Sequence, residues 1–127
     1  DQAPYLVAHL YGHAAQVRHG VADVALREIR ARPSEEAELR GLVERQVDCV
    51  AGLLIQRAGM SPMVLADLFE ADPFSGPHWG RNPLRAGPVM GVPLADRDVW
   101  FQIGQKGALA ACAPGEFSAE LLLDAVR

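Results

Sequence analysis

The segment Arg32-Pro33-Ser34-Glu35-Glu36 does most to limit how this chain can fold. Proline has no N–H to donate, and it forces the preceding residue out of the helical region. Two long helical stretches flank it, residues 4–31 and 35–58. Ser34 is placed to cap the second helix, and Glu35, Glu36 and Glu38 put negative charge at its positive end. The expectation is a long antiparallel helical hairpin over 4–58, joined by a very short turn.

In the first stretch apolar residues recur at Val7, Leu10, Ala14, Val17, Val21 and Val24. Steps of three and four are the seam of a packed helix pair. That pattern predicts an inward apolar face and an outward polar stripe of His9, His13, Gln16, Asp23, Arg27 and Arg30. Gly12 and Gly20 are weak points where the helix can break or cross a neighbour closely. The second stretch carries Leu39, Leu42, Val43, Val47, Val50, Leu53, Leu54 and Ile55, with Gly59 placed as its cap. Its last turns are apolar nearly all round, which predicts self-association, most simply a homodimer burying hairpin against hairpin.

Ser61-Pro62 signals a third, short helix over 61–71, closed by Asp72-Pro73. Prolines and glycines then punctuate 73–93, where Phe74, His78, Trp79, Leu84, Val89 and Met90 suggest an ordered loop, with a short edge strand at 89–94. The alternation in Asp98-Val-Trp-Phe-Gln-Ile-Gly-Gln105 predicts a strand, with Ala108–Cys112 as its partner across Lys106-Gly107. A terminal helix over 118–126 completes a mainly α fold with a small β-hairpin at 98–112, in a single domain of 127 residues.

The totals exclude several classes. A net charge of −4 argues against general affinity for nucleic acid or anionic membranes. No apolar run reaches the roughly 20 residues of a membrane span. Cys49 and Cys112 form no CxxC pair; Cys49 is expected as a small buried hydrophobe, with a structural disulfide as the minority reading, which places the protein in the cytoplasm. No signal peptide is visible, although a chain starting at Asp1 leaves room for a removed segment.

Arg57-Ala-Gly-Met-Ser-Pro-Met-Val-Leu-Ala-Asp-Leu-Phe69 resembles the helix-turn-helix of TetR-type repressors over this short stretch. The resemblance implies a second helix that reads DNA. That helix offers Met63, Val64, Ala66, Asp67 and Glu70 without Arg or Lys, so no DNA-contacting residue carries over.

Two places offer chemistry. His9 and His13 stand i, i+4 on one helix face, a spacing that can chelate a transition metal; Asp23, His19 and His78 are the available third ligands. The loop residues Phe74, His78, Trp79 and Arg81 gather an aromatic platform, a base and a guanidinium where binding sites favour loops. There is no nucleophile motif and no phosphate-cradling loop, so no cofactor is expected and the balance leans away from an enzyme. Two functions stay open. One is a small cytoplasmic regulatory or protein-interaction module acting as a homodimer. The alternative is a small-molecule- or metal-binding protein, or an enzyme, with its site between the His9/His13 face and the His78–Arg81 loop.

Overall fold

The computed structural model describes residues 2–18, 20–69, 92–107 and 109–112. These are mainly helical, and no strand occurs among them. The helices are α1 (Ala3–Arg18), α2 (Val21–Ala31), α3 (Glu36–Arg57), α4 (Leu65–Leu68) and α5 (Leu94–Gln105). Short 3-10 turns at Pro33–Glu35 and Leu109–Cys112 complete the order.

The turn at Pro33 forms as expected, but Ser34 caps nothing by its side chain. Pro33–Glu35 wind into a 3-10 turn, and Arg32 ties it down by donating to Glu28 (3.0 Å) and Glu35 (2.8 Å). The first helical stretch breaks at Gly20, whose φ of 80° only glycine adopts readily. At the far end of α3, Gly59 has φ 72°. The Met60 N–H reaches Ile55 O (3.3 Å) and the Gly59 N–H reaches Gln56 O (3.0 Å). This is the paired-bond termination that satisfies the last carbonyls of a helix.

Helix α3 is the centre of the molecule, and α1, α2, α5 and the Leu109–Cys112 turn all pack on it. Ala25 and Ile29 of α2 meet Leu39 and Val43. Tyr5, Ala51, Ile55, Leu65 and Phe101 form a second cluster. Val47, Val50, Leu53 and Ile55 are thereby buried within one chain, so the apolar girth of α3 is not a dimer surface.

Two expectations are overturned in the C-terminal half. Residues 98–105 belong to α5, not to a strand of a β-hairpin. Arg97, Phe101 and Gly104 lie at helical spacing and all face inward, while Val99 is exposed. The turn at Lys106-Gly107 is real, but it ends a helix, with Gly107 at φ 84°. The predicted third helix shrinks to Leu65–Leu68; residues 60–64 are irregular, so the helix-turn-helix resemblance has no recognition helix behind it. Asp98 of α5 caps α4 by accepting the Leu65 N–H at 2.8 Å.

The cysteines are not free thiols. Cys49 of α3 and Cys112 are joined in a disulfide with a Cα–Cα distance of 5.3 Å, both fully buried. This removes the ground for expecting a cytoplasmic location. No helix among the described residues is long and apolar enough to cross a membrane. The ordered loop at 73–93, except its last two residues, and the terminal helix at 118–126 lie outside the described residues.

Candidate metal centre

Helix α1 is turned inside out relative to its hydropathy. His9, His13 and Gln16 are buried, whereas Val7, Leu10, Ala14 and Val17 are exposed. The reason lies across the interface. On α3, Glu44 and Asp48 also stand i, i+4 and face inward, and Arg97 of α5 reaches the same place. A buried charge needs polar partners far more than a valine needs burial. The helices run antiparallel, so Tyr5 and His9 meet Asp48, His13 meets Glu44, and Gln16 meets Val43 and Gln46. Gly12 permits the approach; a Cβ there would stand 3.2 Å from Val47 Cγ1.

Donor atoms of three residues converge. His9 Nε2 and His13 Nε2 are 3.1 Å apart. Glu44 Oε1 lies 3.5 Å from His13 Nε2, and Glu44 Oε2 lies 3.8 Å from His9 Nε2. With metal–ligand bonds of about 2.0–2.1 Å, ligand atoms around a tetrahedral ion stand roughly 3.3 Å apart. The three residues are all buried, and one donor atom from each lies within 4.8 Å of the other two.

The outer contacts fix the direction of each ring. His9 Nδ1 is 3.2 Å from Asp48 Oδ1, an atom that can only accept, so this nitrogen carries the hydrogen. Gln16 spends its amide N–H groups on Val43 O (3.2 Å) and Gln46 Oε1 (2.9 Å), which leaves its carbonyl oxygen 3.1 Å from His13 Nδ1. Both histidines therefore bear hydrogen on Nδ1 and turn Nε2 into the site. Anchoring a ligating histidine through its other nitrogen is the standard support of metal sites.

Arg97 closes the far side. Its Nε donates to Asp48 Oδ2 (2.8 Å) and its Nη2 to Glu44 Oε2 (3.0 Å). Burial pushes Glu44 upward, but His13, Arg97 and His9 outweigh it and bring the carboxyl down to about 2. Asp48 follows the same balance: burial raises it, and Arg97 with the His9 and Tyr5 hydrogen bonds pulls it below the usual range. Burial lowers His9 below the ordinary imidazole value despite Asp48 beside it, and burial raises the Tyr5 phenol. Tyr5 donates to Asp48 Oδ1 at 2.6 Å, with its ring set edge-on between Phe69 and Phe101. Counting Glu44, Asp48 and Arg97, the cluster has one negative charge left for a cation to balance.

The structure thus joins His9 and His13, which the sequence singles out, and supplies Glu44 as third donor. Asp23 is exposed on α2 and takes no part. His19, Phe74, His78, Trp79 and Arg81 lie outside the described residues. Sequence reading misses Glu44, Asp48, Gln16, Tyr5 and Arg97. One signal was present: two carboxylates at i, i+4 flanked by Val43, Val47 and Val50, on a face that must be buried. No family model matches the chain, and no curated protein or solved structure matches it.

Proposed function

We propose that this protein binds one transition-metal ion through His9, His13 and Glu44, with Asp48 and Gln16 orienting the two imidazoles. The observation that carries this reading is the pair of Nε2 atoms 3.1 Å apart with a carboxylate beside them. Two nitrogen donors and one oxygen suit Zn²⁺ or Fe²⁺ better than Mg²⁺ or Ca²⁺. Three protein ligands leave a fourth position open, the arrangement of sites that hold water or a substrate. The buried disulfide favours an oxidising compartment over the cytoplasm. The homodimeric interaction module is the weaker reading for this site, because a binding surface needs no such buried cluster.

Metal analysis of tag-free protein, with Co²⁺ titration followed by its visible absorption, tests the proposal. One ion per chain with tetrahedral or five-coordinate cobalt bands is expected, lost in His13→Ala. No retained ion, no cobalt bands and no rise in melting temperature with Zn²⁺, Co²⁺ or Fe²⁺ would refute it.

A further inference from the structure

The outer face of α1 carries a second feature, independent of the metal centre. Val7 is 67% exposed, Leu10 56%, and Tyr11 and Val17 50% each. With Ala14 they form one stripe about 15 Å long. Beside it runs a groove of about 470 Å³ lined by Ala3, Pro4, Tyr11, Ile55, Ala58 and Met60.

We infer that this face pairs with the same face of a second copy of the chain, α1 against α1 about a twofold axis. The steps of three and four from Val7 to Val17 are those of a helix–helix seam, so the surface that fits it is another helix. Helix α1 has no Asp, Glu or Lys, and its one formal charge is Arg18 at the end. A second α1 crossing antiparallel meets no like charge, and the two Arg18 residues fall at opposite ends. Area points the same way. The stripe and the groove rim make one apolar patch, and the largest such patch on a typical monomer exposes roughly 300–600 Å². A twofold pair buries about twice that, reaching the ~1,000 Å² that a specific interface needs. A membrane surface is the poorer partner, since one cation on the helix and a net charge of −4 give no attraction to anionic lipid.

Sedimentation velocity of the full chain across a wide concentration range is the test. A reversible monomer–dimer equilibrium is expected for the wild type and for Val99→Glu, an exposed apolar position on α5 away from the stripe. Leu10→Glu should be monomeric at every concentration, with unchanged helicity and metal content. Ala14→Cys, at the smallest side chain of the stripe, where two helices can approach most closely, should form a covalent dimer on mild oxidation, which keeps the inference testable if Leu10→Glu fails to fold. A wild type that stays monomeric, a dimer untouched by Leu10→Glu, an uncrosslinked Ala14→Cys, or binding to neutral vesicles without dimerisation would overturn it.

Discussion

His9 and His13 present their Nε2 atoms to each other at 3.1 Å while each Nδ1 is held by an acceptor. Glu44 Oε1 lies 3.5 Å from His13 Nε2, so two nitrogen donors and one carboxylate are presented to one site.

Removing the support of one ring should loosen the site without deleting a ligand. In Gln16→Leu the His13 Nδ1–H loses its acceptor, and metal affinity should fall about 10–100-fold. Gln16→Glu retains an acceptor and should recover most of it. Competition against a chromophoric chelator reads both; equal affinity in all three proteins would mean that the ring is positioned by packing alone.

Arg97 neutralises the same carboxylates that an ion at the proposed site would. Arg97→Met should cost the metal-free protein about 3–5 kcal/mol, because Glu44 and Asp48 stay buried without their cation. Metal should then raise the melting temperature more in the variant than in the wild type. Equal gains in the two proteins would separate Arg97 from the site's charge balance.

Acid should destabilise the metal-free protein. Glu44 and Asp48 are held below their ordinary values, so their stabilisation is complete above the unfolded carboxylate range. It is lost as pH falls through the folded values, about 2 for Glu44. His9 is lowered too: below its ordinary value of 6.5 the unfolded chain takes up a proton that the folded one refuses. All three act in one direction, so urea-unfolding free energy should fall steadily from neutral pH downward. A rise on mild acidification would mean that the folded chain takes up protons more readily than the unfolded one, against the burial of His9.

Glycines on α3 and α5 should split by neighbour. A Cβ on Gly104 of α5 would run into the carbonyl oxygen of Cys49, and one on Gly52 of α3 would stand 2.9 Å from Gln105 N. Either change to Ala should cost at least ~1–3 kcal/mol. At Gly41 the new methyl would meet Val92 Cγ2 at 3.7 Å, an ordinary contact, so Gly41→Ala should gain about 0.5–1 kcal/mol from helix propensity. Thermal melts of the three variants check the order.

How much of this could be read beforehand differs residue by residue. Pro33 and Gly59 act through their own backbones, and their turn and cap were legible. The i, i+4 spacing of His9 and His13 was equally plain. Which stripe of α1 faces inward was not, because periodicity separates two faces without saying which one is buried. That choice belongs to Glu44, Asp48 and Arg97, which lie far along the chain from α1. Residues 98–105 misled for a related reason. Val99, Phe101 and Ile103 alternate as a strand would, while Arg97, Phe101 and Gly104 fit a helix equally well. The bare flank of α3 and the close crossing at Gly52 and Gly104 decide for the helix. The cysteine pairing was hidden because neither residue carries local evidence of its partner.

The Cys49–Cys112 bond closes the intervening chain into a covalent ring. Every proposed metal ligand precedes that ring, whereas Arg97 lies within it. A single backbone cut between residues 50 and 93 would therefore leave α5 joined to the ligand-bearing helices by sulfur. Proteolysis there should give two fragments that migrate together until a reductant separates them.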